Sequence, residues 1–198
     1  MYKYKDQKEM RIALNGKMIN MMVGIFLLVN AITGSIRYAA NFSGIALGYQ
    51  DGVQKYVDLL AEAGTTVGKL WIAAAAFVIV AIAEVFVGML AVRLANRLDK
   101  AAMIKKGAMI LLVLEVMLHT VLFMIGLPYI SIIFNSVFLP GALIWSSSGL
   151  KKLSVRYPDR IYATEPRKKP GKAPISDKQK KSIMERAKTT VNEDNENE

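Results

Sequence analysis

A chain of 198 residues that is 53% apolar, with 26 Lys and Arg against 16 Asp and Glu, carries a formal net charge of +10. Its mean hydropathy is +0.29 and its pI is near 9.7. The lack of cysteine excludes disulfides, thiolate catalysis, zinc fingers and iron–sulfur clusters. The basic residues cluster between long neutral runs, which assigns them to a membrane surface rather than to nucleic acid.

Residues 1–17 form a basic segment, with Lys3, Lys5, Lys8, Arg11 and Lys17 against Asp6 and Glu9. Met10 to Leu14 extend it as a short interfacial helix. The first span is expected at 18–36. Its apolar run is long for a signal-peptide core and is interrupted by Asn20 and Asn30. It therefore reads as a retained helix, with Gly24, Ala31, Gly34 and Ser35 turned toward neighbours.

Residues 37–69 are expected to form the external loop, with Arg37, Lys55 and Lys69 balanced by Asp51, Asp58 and Glu62. Asp51 as N-cap and Gly64 as C-cap bound a short amphipathic helix, with Val53, Val57 and Leu60 on one face. The second span, 70–92, holds Glu84 as its one charge. Ala74, Ala81 and Gly88 recur every seven residues along it, which predicts a helix–helix seam. A basic loop follows, carrying Arg93, Arg97, Lys100, Lys105 and Lys106 against Asp99.

Between Lys106 and Lys151 lie 44 positions whose only ionisable side chains are Glu115, His119 and Tyr129. As one helix they would reach roughly 66 Å, twice a ~30 Å hydrocarbon core, so the run must fold back. Gly126-Leu127-Pro128 is the turn, giving spans at 107–125 and 128–150, with Pro140 inside the last. Residues 151–198 read as a largely disordered basic tail. A solvated Pro- and Lys-rich linker runs around Arg167, Lys168 and Lys169, with a short helix at 177–188 behind the capping box of Ser176 and Gln179.

The fold class is an all-α integral membrane protein with four transmembrane helices in two antiparallel hairpins. Basic residues number five before the first span, five in the second loop and thirteen in the tail, against three in the external loop. Both termini are therefore expected in the cytoplasm, with the bundle in a plasma or equivalent inner membrane. Arg93, Arg97, Lys105, Lys106, Lys151, Lys152, Arg167, Lys168 and Lys169 are the candidate contacts to an anionic inner leaflet.

The candidate polar site is Glu84, Glu115, His119, Asn135 and Asn30. Glu84 and Glu115 each lie nine residues from a basic flank, Arg93 or Lys106, and so fall at matching heights on neighbouring antiparallel helices. His119 and Asn135 match in the same way across the last turn, and Asn30 is expected near their level. Three arrangements accommodate buried carboxyls here: protonated acids, a His119–Glu115 pair, or a metal held by Glu84, Glu115 and His119. A Glu-x-x-x-His spacing with one histidine is a poor metal signature, so no metal and no cofactor are assigned.

No glycine-rich phosphate loop is present, and Ser146, Ser147 and Ser148 lie at the opposite leaflet depth from the sole histidine. The expected function is a non-enzymatic accessory or interaction subunit, bound to other membrane subunits or to a second copy. The alternative is a small oligomeric transporter or channel coupled through Glu84, Glu115 and His119.

Overall fold

The computed structural model describes residues 4–127 and 130–165, the side chains of 130–135 excepted. Arg167, Lys168, Lys169, the 177–188 helix and the rest of the tail lie outside the described residues, as does the side chain of Asn135. Residues Met1–Glu165 make one compact, helical unit.

Helix α1 spans Gln7–Asn30, continues as a π-helical segment over Ala31–Ile36, and runs on as α2, Arg37–Gln50. Helix α3 is Gln54–Ala63, α4 Val67–Leu94, α5 Ala101–Met124 and α6 Ile130–Arg156. Among the described residues three helices are long and apolar enough to cross a membrane: the 44-residue Gln7–Gln50, Val67–Leu94 and Ala101–Met124. In space α4 packs on α1, α5 on α4, and α6 on both α5 and α1, closing a four-helix ring. One end of the ring carries the basic clusters; the other carries the α2–α3 turn and the C-terminal end of α5.

The first two elements differ from expectation. No external loop begins at residue 37, because Arg37–Gln50 contains neither proline nor a stop signal, and Ala39, Phe42 and Ala46 bury against α4. Tyr38 and Phe42 stack on Phe77, with ring centroids 5.3 and 5.9 Å apart. Such a face offsets the weak intrinsic preference of a segment holding two glycines. Nor are the interfacial stretch at Met10 to Leu14 and the first span separate, since one helix runs unbroken through both. Asp6 accepts a hydrogen bond from the Lys8 amide as N-cap, so the basic segment is helical from Gln7.

The stop comes at Gly52, with φ of 74°, where Val53 N bonds Gly48 O and Gly52 N bonds Tyr49 O. Asp51 is therefore the C-cap of α2, and Val53, not Asp51, precedes α3. Gly64 closes α3 with φ of 59°, as expected from the sequence. Of the predicted apolar face of α3, Leu60 is buried and Val53 is exposed.

The tail also starts later than expected. Helix α6 passes residue 151 and ends at Arg156, and residues 157–165 return to dock on the basic end. Leu98 N bonds Ile161 O and Ala163 N bonds Asn96 O, each at 2.8 Å. Asn96 grips Thr164 through its side chain at both ends, and Lys17 Nζ donates to Thr164 Oγ1. Tyr157 donates to buried Glu9, which is also ion-paired with Arg156. Arg160 lies over the rings of Tyr4 and Tyr157, at 4.7 and 4.3 Å. Beneath these contacts Ala13, Leu98, Leu150, Leu153 and Ala163 form a small apolar cluster.

This cap makes a test. Truncating Tyr157 to alanine removes the ring under Arg160 and the hydroxyl on Glu9, so residues 157–165 should detach locally. Amide exchange at Leu98 and Ala163 should then speed up by roughly tenfold or more, the equivalent of about 1.4 kcal/mol, while α4 and α5 stay protected. Unchanged exchange at both amides would mean that Tyr157 does not hold the segment.

Candidate functional site

Glu84 sits on the α4 face that meets the first helix, and it is fully buried. Both of its oxygens are occupied. Asn30 Nδ2 donates to Oε1 at 2.5 Å, and Ser35 Oγ donates to Oε2 at 2.7 Å. Positions five apart on an α-helix are separated by about 140° around the axis, too far to share one partner. A π turn closes from i to i+5 and brings them to one side. The π-helical segment over Ala31–Ile36 lies at this point, so the local unwinding is what delivers Ser35 to the carboxyl that Asn30 already holds.

The register of the α1–α4 pair follows from three contacts. Gly24 meets Gly88, Asn30 and Ser35 meet Glu84, and Tyr38 with Phe42 meets Phe77. The heptad of Ala74, Ala81 and Gly88 is indeed the seam, with both alanines buried at 4% exposure. Asn30 belongs with Glu84 rather than at the level of His119. Without a short turn between the first two spans, the sequence had nothing to set that register.

Glu115 on α5 is 3% exposed and lies within electrostatic reach of Glu84. Ser136 of α6 faces its carboxyl without closing a hydrogen bond of ordinary geometry. His119 shares the face one turn on, but it does not pair with that carboxylate. Its Nδ1–H donates to the Glu115 backbone carbonyl at 2.7 Å, leaving Nε2 buried with no partner among the described residues. A carbonyl cannot donate, so this contact fixes the proton on Nδ1. Glu115, His119 and Thr120 line a groove of about 320 Å³ that also touches Val137 of α6. Among the described residues no three His, Cys, Asp or Glu side chains come together to hold a metal ion.

A second polar knot joins α1 to α6. Asn20, fully buried, accepts from Ser146 Oγ at 2.5 Å and from Ser147 Oγ at 3.3 Å. In the sequence Asn20 interrupts an apolar run, and Ser146 and Ser147 stand in a run of three serines. Their partnership was hinted at by height alone, three residues inside Lys17 and a few inside Lys151. Ser35 was expected to face a neighbour, but nothing joined it to Asn30 on one carboxyl, since i, i+5 is not an α-helical pairing.

Of the expected surface cations, Arg93, Lys106, Lys151 and Lys152 are exposed. Arg97 is not free: it forms a two-pronged pair with Asp99, at 2.8 and 2.7 Å, which holds the Asp99 carboxyl below its usual range. No protein-family model, curated protein or solved structure matches this chain.

Proposed function

We propose that the protein is a four-span integral membrane protein of a plasma or equivalent inner membrane, with both ends cytoplasmic. It acts as a non-enzymatic accessory subunit that binds other membrane proteins or a second copy of itself. The observation that carries this reading is where the buried polar groups are used. Glu84 is bound by Asn30 and Ser35, and Asn20 by Ser146 and Ser147, so these side chains fasten helix to helix instead of lining a passage. Helix α6 supplies the fourth span, since it closes the ring between α5 and α1. Purification from native membranes in mild detergent is the test: a different protein should co-elute in fixed proportion, or the chain should run as a defined oligomer. A lone monomer that drives ion flux in proteoliposomes would refute the reading.

A second reading, a proton- or cation-coupled transporter or channel, draws on one separate observation. His119 Nε2 is buried with no partner among the described residues, and His119 lines an open groove together with Glu115, whose carboxyl faces Ser136. Under it, His119→Gln should abolish flux while leaving the fold intact. Under the accessory reading the same change is tolerated.

The topology has its own check. Cysteines placed singly at Gln50 and Asp159, both exposed, should differ in intact cells. An impermeant thiol reagent is expected to label Gln50→Cys and to spare Asp159→Cys until the membrane is opened. Labelling of Asp159→Cys in sealed cells would reverse the orientation.

A further inference from the structure

We infer that the basic end of the bundle holds one anionic phospholipid with two phosphodiester groups, seated across two grooves that flank α6. The first groove, about 380 Å³, lies between α1 and α6 and is rimmed by Lys8, Arg11 and Lys152, with Asn15, Ser148 and Trp145 beside them. The second, about 370 Å³, lies between α5 and α6 and presents Lys105, Lys151 and Lys152. Ser148 and Lys152, one turn apart on α6, line both.

Three features select this ligand. The first is charge. Arg97 and Arg156 at the same end are paired with Asp99 and Glu9, whereas none of the five groove cations has an acidic partner among the described residues. Five unneutralised cations converging on two adjoining grooves repel one another, and an anion seated between them removes that cost. The second is hydrogen bonding. The first groove is lined by the hydroxyl of Ser148 and the amide of Asn15 as well as by its cations, and both groups are suited to a phosphate or glycerol ester oxygen. The third is polarity along the bundle. Beyond the cations the outward side chains turn apolar, with Met18, Met22 and Trp145 exposed at 53%, 48% and 70%, a surface suited to acyl chains rather than to a free phosphate. Two grooves sharing one lysine match a headgroup with two phosphates better than two separate lipids, which would compete for Lys152.

The inference rests on this end lying in an anionic leaflet, but its test does not depend on orientation. The full chain, delipidated in a neutral detergent, is given mixed micelles of phosphatidylcholine with either phosphatidylglycerol or diphosphatidylglycerol at equal phosphate, and retained lipid is counted by native mass spectrometry. One diphosphatidylglycerol per chain should be retained, at least tenfold more tightly than phosphatidylglycerol, and millimolar inorganic phosphate should not displace it. Lys152→Gln should weaken retention about fivefold, the equivalent of roughly 1 kcal/mol per basic residue at an anionic surface, and Lys152→Arg should restore it. Arg11→Gln and Lys105→Gln, one in each groove, should each act alike, while Lys100→Gln, outside both, should change nothing. Equal retention of the two lipids, displacement by phosphate, or a Lys152→Gln protein no different from Lys100→Gln would each overturn the assignment.

Discussion

Replacing Gly88 with valine is expected to break the α1–α4 crossing and to lower the stability of the bundle clearly. A Cβ added at Gly88 would sit 2.9 Å from the Gly24 carbonyl oxygen and 3.0 Å from Leu28 Cγ. One added at Gly24 would sit 2.9 Å from the Gly88 carbonyl oxygen and 3.0 Å from the Ala91 Cβ. The obstacle in both directions is backbone, which cannot swing aside as a long side chain can. Overpacking a close-packed site costs about 1–3 kcal/mol, and valine adds two further methyl groups beyond that first clash. The helices must therefore separate, and the contacts at Glu84 and Phe77, further along the same pair, go with them. Gly141→Ala is the control, because nothing lies within 4 Å of a Cβ there and alanine suits a helix better than glycine. In detergent, Gly88→Val should unfold at a clearly lower temperature or denaturant concentration than wild type, and Gly141→Ala should not. A Gly88→Val protein that melts with the wild type would mean that the two helices do not cross at these glycines.

This crossing marks how far the sequence could be read. The every-seventh spacing of Ala74, Ala81 and Gly88 identified the seam on α4, because small residues on one stripe have few uses other than close approach. Its partner was not legible, since many helices offer a glycine and no short turn tied the first span to the second. Hydropathy located the neutral runs well, and the Gly126 turn closes α5 with φ of 80°. The same hydropathy misplaced the end of the first helix, because Arg37 and the polar residues after it look like a loop. Only the packing of Phe42 and Tyr38 on Phe77 shows why the helix continues. The docked segment 157–165 was hidden for a similar reason: Tyr157, Arg160 and Thr164 are polar, and their partners at Tyr4, Glu9 and Asn96 are far away in sequence. Within the candidate site, counting residues from the basic flanks put Glu84 and Glu115 together. It could not foresee the π-helical segment that adds Ser35.

Substitutions at Glu84 separate the two functional readings, and they do so through magnitudes. Glu84→Ala removes a buried side chain and leaves Asn30 and Ser35 facing a void. The volume lost alone costs about 2–5 kcal/mol, and the two hydrogen bonds add only ~0.6 kcal/mol each in a membrane bundle, so packing dominates. Glu84→Met keeps most of the volume and forfeits the bonds, so its cost should fall near the smaller figure, roughly 1 kcal/mol. Glu84→Gln keeps both volume and partners: the amide oxygen can accept from Asn30 Nδ2 while the amide nitrogen donates to Ser35 Oγ. Its stability in detergent should stay close to wild type. If the carboxyl only fastens α1 to α4, function should then follow stability, lost in Glu84→Ala, reduced in Glu84→Met and retained in Glu84→Gln. If Glu84 carries protons or cations, activity should vanish in Glu84→Gln despite a sound fold, because that change removes the ionisable group and little else. The accessory reading predicts the first pattern, and an inserted, stable Glu84→Gln protein without cellular activity would refute it.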